Sequence, residues 1–202
     1  MHMKKIVYSR VFLWLISAFM SIFYDKSHLK GKYFYEKRMG WLWAFKGLPS
    51  RLIGKNRKVP WPVSKYCTIS NFRNIEFHPD SINIFQSFGT YYQSHDAKIR
   101  IGKNVHIAPN VGIITTNHDI YNPAKHVCGK DITIGDNSWI GMNSVILPGV
   151  TLGINTIVGA GSIVTKSFEQ GNCVIAGVPA RVIKHLDIDS NRRMEVDISE
   201  KL

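Results

Sequence analysis

A histidine near neutral pH can act as general base, general acid or metal ligand, and His118 stands where an otherwise regular sequence pattern lapses: Ile114-Thr115-Thr116-Asn117-His118-Asp119-Ile120-Tyr121-Asn122-Pro123. A lone histidine is more often a hydrogen-bonded surface residue. Its position at the lapse singles this one out, because loops concentrate function where regular walls do not. His106, His118 and His126 together raise a zinc site, since such sites are built from histidine clusters. Cys67, Cys128 and Cys173 are odd in number, widely spaced and without a C-x-x-C pair. They imply neither a disulfide framework nor a zinc knuckle, and suit a reducing cytoplasm as packing residues. Gln86, Tyr91, Tyr92, His95 and Asp96 make a polar, aromatic stretch of the kind that reads a hydroxylated ligand.

The elements that must hold these residues are short. An aliphatic residue returns every six positions at Ile101, Ile107 and Ile113, and again at Ile134, Ile140, Ile146, Leu152, Val158 and Val164. Four places further on lies a small or β-branched residue: Val105, Val111, Ser138, Ser144, Val150, Thr156, Ser162. A period of six is neither a helical face nor a simple strand alternation. It is one strand plus one turn, and such units must stack to bury a continuous core. The pattern predicts a mainly β fold, a parallel β-helix of triangular section with three repeats per coil. The 21 positions from Ile113 to Ile134 are not a multiple of six, which predicts an extruded loop around His118. Between Cys67 and Lys98 the phase drifts at Ile82, Ile84 and Phe88, which predicts first coils with bulges or short insertions.

Charge divides the chain. Residues 1–60 hold 13 Lys or Arg against Asp25 and Glu36, whereas residues 61–202 hold 13 basic and 12 acidic residues. Val11 to Tyr24 is apolar apart from Ser17 and Ser21. As a helix its 14 residues reach ~21 Å, short of the ~30 Å hydrocarbon core. No small-residue cleavage site follows, so neither spanning nor secretion is expected. Trp41, Trp43 and Phe45 stand among Lys37, Arg38, Lys46 and Arg51, a mixture that fits the headgroup zone of a bilayer. The other reading of the head is a helical cap packed on the β-helix or on a neighbouring subunit. Nucleic acid is not an expected partner, since no helix-turn-helix, zinc-finger or RRM signature accompanies the charge. Val59-Pro60-Trp61-Pro62-Val63 is a stiff boundary. The expected division is a basic helical and aromatic head at 1–63, a β-helix at 64–186 and a polar tail at 187–202.

Several motifs together resemble the hexapeptide-repeat acyltransferases: Ile101-Gly102-Lys103-Asn104-Val105, Thr115 to Asp119, Ile134-Gly135-Asp136-Asn137-Ser138-Trp139-Ile140-Gly141, Ile146 to Val150, Val158 to Lys166, and the closing Ala176-Gly177-Val178-Pro179-Ala180-Arg181-Val182-Ile183. The likeness is nearest to the maltose/galactoside O-acetyltransferases and the O-acetyltransferases of surface-polysaccharide clusters. It implies a left-handed β-helix, an exception to the right-handed crossover rule. It also implies a homotrimer with active sites between subunits and acetyl-CoA lying along each groove as acyl donor.

By the same resemblance, His118 is the general base that takes the acceptor hydroxyl's proton as its oxygen attacks the thioester. Transfer is then direct, with a backbone N–H as oxyanion donor. Thr165, Lys166 and Arg181 match coenzyme contacts, the two cations suiting phosphate. Ala160 matches a small residue beside the pantetheine arm, and Trp139 and Met142 fall in the groove motif, although the branch often has serine at Met142. Asp96 and Asn117 match the acceptor side, and no metal is expected. Phe88 replaces an acceptor-binding asparagine, which points away from a simple galactoside or maltose.

The implied activity is O-acetylation of a sugar hydroxyl in capsule, O-antigen or exopolysaccharide biosynthesis. The expected setting is cytoplasmic, peripheral at the inner membrane face through residues 1–60, with a lipid-linked glycan as acceptor. N-acetylation of an amino sugar or antibiotic is the nearest rival. A γ-class carbonic-anhydrase-like zinc protein is more remote, because seven residues separate His118 from His126 where that family has an H-x4-H pair. A non-catalytic scaffold is the other remote reading.

Overall fold

Each six-residue unit supplies two or three extended residues and then a corner, and the corners explain the spacing. Asn104, Asn110, Asn137, Asn143, Asn155 and Asn172 all adopt left-handed backbone with φ between 46° and 60°, a conformation asparagine tolerates better than other non-glycine residues. Stacked corner asparagines bond each other, as in Asn104 Nδ2 to Asn137 Oδ1 at 3.2 Å and Asn155 Nδ2 to Asn172 Oδ1 at 2.7 Å. Glycine precedes the corner where coils touch: a Cβ on Gly135 would lie 2.6 Å from the backbone of Gly153.

In the computed structural model, residues 10–54 and 56–187 are described. Lys4 and Lys5 of the head, and the tail from residue 188, lie outside them. Among the described residues the strands form three walls of a left-handed β-helix. The first wall stacks β1 (Thr68–Ile69), β3 (Tyr91–Gln93), β6 (Gly112–Ile114), β9 (Val145–Ile146) and β12 (Ile163–Val164). The second stacks β2 (Ile75–Phe77), β4 (Ile99–Ile101), β7 (Ile132–Ile134) and β10 (Thr151–Leu152). The third stacks β5 (His106–Ile107), β8 (Trp139–Ile140), β11 (Thr156–Val158) and β13 (Cys173–Gly177), closed by the antiparallel β14 (Ala180–His185).

All nine hexad aliphatics, from Ile101 to Val164, point inward and are buried. The buried hydroxyls four places on are satisfied locally. Ser144, Thr156 and Ser162 donate to the carbonyls of Gly141, Gly153 and Gly159 at 2.7 Å each, which removes the cost of an unpaired polar group in the core.

The drifting phase has a cause. A 3₁₀ segment, Pro79–Gln86, takes the place of a third-wall strand in the first coil and buries Ser81, Ile82, Ile84 and Phe85. Ser81 Oγ joins it to the next coil, donating to the Gly102 carbonyl at 2.7 Å and accepting from Val105 N–H at 2.9 Å.

The head closes this end of the β-helix. It contains α1 (Arg10–Met20), the single turn α2 (Lys32–Tyr35) and α3 (Met39–Ile53). Met20, Tyr24, Phe34, Trp41, Ala44 and Trp61 share one buried cluster with Ile75, Phe85 and the coil interior. Trp61 is its hub, with ring centroids 5.0 Å from Phe77, 5.1 Å from His28 and 5.2 Å from Phe85. Arg51, grouped by sequence with the headgroup-facing cations, is a staple instead. Its guanidinium donates to the carbonyls of Phe23, Arg57 and Val59 and lies over the Tyr24 ring. Among the described residues no helix is long and apolar enough to cross a membrane.

Candidate active site

The extruded loop leaves the first-to-second wall corner between β6 and β7 and folds into a small hairpin. His118 bridges His126 across it, and Asp119 N–H donates to Lys125 O at 2.9 Å. Asp119 Oδ1 accepts from Tyr121 N–H at 2.7 Å and Asn122 N–H at 3.0 Å, an Asx turn that bends the tip. The tip carries Ile120 and Tyr121 fully into solvent, Tyr121 at 92% exposure.

His118 is exposed, and its Nδ1 lies 2.7 Å from the Pro123 carbonyl oxygen. A carbonyl can only accept, so Nδ1 carries the proton and Nε2 keeps a free lone pair. The His126 ring lies against it at 4.2 Å, and His95 lies 6.2 Å beyond His126. His106 does not join them. It sits on the third wall in register with Trp139, where burial, then Lys32 and Lys37, lower its pKa. Among the described residues no group of three or more His, Cys, Asp or Glu is placed to hold a metal ion.

The loop's root is fastened from the coil beneath. Asp96 accepts from Thr116 Oγ1 and from Gly129 N–H at 3.0 Å, so its carboxylate clamps both legs of the loop. These two bonds, Thr116 first, hold its pKa below the usual value. Sequence reading missed Gln93. Its buried Oε1 accepts from the N–H of Thr115 at 2.9 Å and of Thr116 at 3.0 Å, while Nε2 donates to Thr116 O at 3.0 Å. The strand alternation gives no signal for it: Gln93 follows inward Tyr92, in register with Ile114, and is buried with its amide fully satisfied by the loop root.

The remaining candidates fall on two separate columns. Thr165 and Lys166 follow β12 at the same corner as His118, further along the stack, with Lys166 Nζ 5.8 Å from the Phe168 ring. Trp139 and Arg181 lie on the third wall, Trp139 in register with Ile157 and Arg181 with Ala176. Met142 and Ala160 occupy successive corners between the third and first walls, joined by Gly161 N–H to Met142 O at 2.8 Å. All six are exposed, as is Asn117 beside His118. One chain thus sets His118, Asn117, Asp96, Thr165 and Lys166 along one corner column, at different levels of the stack, and holds Trp139, Met142, Ala160 and Arg181 across the first wall from them.

A family profile described as bacterial transferase hexapeptide (six repeats) matches residues 131–166. The β-helix is a hexapeptide-repeat one. This hexapeptide-repeat chain is 51% identical over 112 residues to a Dictyostelium discoideum protein provisionally named an acetyltransferase, covering 54% of this chain and 57% of that protein. It is 47% identical over 95 residues to the galactoside O-acetyltransferase of Escherichia coli (strain K12), covering 46% of each. It spans about half the length of these curated relatives. A solved galactoside acetyltransferase in complex with coenzyme A superimposes on 89% of this chain and 84% of its own, with TM-score 0.57 and 29% identity. The likeness to the hexapeptide-repeat acyltransferases therefore holds in sequence and in fold.

Proposed function

We propose that this chain transfers an acetyl group from acetyl-CoA to a sugar hydroxyl, with His118 as general base. One observation carries the reading: the Pro123 carbonyl fixes the His118 tautomer at 2.7 Å, so a proton-accepting Nε2 is displayed on an otherwise inert scaffold. Nε2 takes the proton of the acceptor hydroxyl as its oxygen bonds to the thioester carbonyl carbon. The C–S bond of the tetrahedral species then breaks, and the imidazolium returns its proton to the departing thiolate.

The donor side suits coenzyme A. Exposed Trp139, Met142 and Ala160 offer a flat, uncharged track, and Lys166 and Arg181 offer exposed cations for phosphate. In a homotrimer, the loop corner of one copy would face the third wall of the next, uniting the two columns that one chain holds apart. Mixed assemblies of His118→Ala and Arg181→Ala chains should then contain sites with the wild-type KM for acetyl-CoA, which neither variant provides alone. A sugar acceptor is supported by the Escherichia coli relative's named activity on galactosides, and in this reading the acceptor is a glycan of surface-polysaccharide assembly.

The test is thiol release from acetyl-CoA in the presence of a panel of soluble and polyprenyl-linked glycans. His118→Ala should abolish glycan-dependent release without loss of fold. Retention of the wild-type rate would overturn the assignment. Lys166→Ala and Arg181→Ala should raise KM for acetyl-CoA with kcat little changed.

A further inference from the structure

A packed helix needs one apolar face, yet α1 has two. Leu13, Ile16 and Met20 face the core, while Val11, Trp14, Leu15 and Phe19, continued by Ile22 in the turn that follows, form a second stripe that remains exposed, Trp14 at 70%. On α3, exposed Leu42, Phe45, Leu52 and Ile53 repeat the arrangement, Ile53 at 91%. Phe19 and Phe45 stack at 6.4 Å, so the two stripes form one continuous surface. A helix apolar all round is normally covered, and no described part of the chain covers this one.

What covers it can be argued from charge. The head carries 13 basic and two acidic residues within 1–60, and Lys26, Lys30, Lys37, Lys46, Arg57 and Lys58 are exposed. A second copy docking here would bring an equally positive head against this one, which repulsion opposes. Nucleic acid would satisfy the charge and leave the stripe wet. An anionic bilayer satisfies both. A cleft of about 520 Å³ opens between α3 and the first coil, lined among others by Trp43, Lys46, Ser50, Lys65 and Tyr66. It offers two ammonium groups and hydroxyls, and Lys46 directly follows Phe45 of the stripe. At 11 residues α1 reaches only ~16 Å, about half a hydrocarbon core, so it lies along the surface.

We propose that the joined stripes of α1 and α3 dock this protein on an anionic lipid bilayer, with the aromatic side chains among the upper acyl chains and Lys46 and Lys65 on lipid phosphates. The docking stands apart from the transferase reading; joined to it, it makes the acceptor a glycan carried on a membrane lipid.

Flotation of the full chain with vesicles tests it. With phosphatidylcholine and phosphatidylglycerol mixed, the protein should float, and with phosphatidylcholine alone it should stay largely in solution. The combined Trp14→Glu, Phe19→Glu, Phe45→Glu variant should lose ~10-fold or more of the floating fraction. Lys46→Glu with Lys65→Glu should abolish the preference for phosphatidylglycerol, with unchanged circular dichroism in both variants. Wild-type protein that ignores mixed vesicles, or floats equally with both, overturns the proposal. So does a triple variant that floats normally but changes mass by light scattering, which would make the stripe a contact between copies. Thiol release with a soluble glycan, measured on the same samples, reports separately on the transferase reading.

Discussion

The coils and the head bury their side chains by opposite means. In the coils each inward residue sits on its counterpart one turn away: Ile107 on Ile140, Ile140 on Val158, Val158 on Ile175. The neighbours of any one residue are nearly those of the next. In the head no contact repeats. Trp61 meets His28, Phe72, Phe77 and Phe85 at four different angles. A column spreads a defect over equivalent neighbours, whereas a hub concentrates it. Individual character, in recognition as in packing, therefore belongs to the head and to the loop that interrupts the columns.

The largest expected effect breaks the loop away from both regions. His118→Ala should lower acetyl transfer by ~10²–10⁴-fold with no shift in thermal unfolding, since the ring packs on nothing in the core. Next, Trp61→Ala should cost ~3–5 kcal/mol in urea unfolding, against ~1 kcal/mol for Ile140→Val in a column. Equal losses would abolish the distinction between hub and column. Asp96→Asn should loosen both legs of the loop and lower turnover by about tenfold through misplacement of His118, seen as faster amide exchange at residues 117–128.

The smallest effect separates the regions by pH. Burial is the main force lowering the His28 pKa, opposed by Asp25. The neutral ring is thus favoured in the folded state, and its stabilisation is complete above ~6.5 and lost as pH falls through the lower folded value. The Asp96 clamp also has a depressed pKa, but its contribution persists above ~3.9 and fails only in stronger acid. Between neutrality and pH ~5, resistance to unfolding should weaken at the head while protection from exchange at the loop root, corrected for the intrinsic rate, stays constant. His28→Phe should flatten that slope.

The columns were legible because a period of six admits one geometry, and the loop was legible as a lapse in it. The corner asparagines were equally open to reading, since Ile-Gly-x-Asn recurs at 101–104, 134–137 and 140–143. Gln93 was not. Its partners lie 22 and 23 positions away and become neighbours only once the coils have stacked. Arg51 misled for a related reason: the three carbonyls that claim it come from chain bends with no mark in composition. The drift at Ile82 and Ile84 was visible, but the 3₁₀ turn behind it depends on the head it packs against.

A stack of parallel coils could in principle grow without end, each finished layer being a template for another. The reversal of β14 forecloses this along the third wall: it occupies the free edge of β13 with a strand of opposite sense and sets Arg181, Lys184 and His185 outward. Such an edge repels an incoming chain. Removing residues from Val178 onward should expose the β13 edge; because the head closes the opposite end, particles should join in end-to-end pairs, seen as a doubled mass by light scattering.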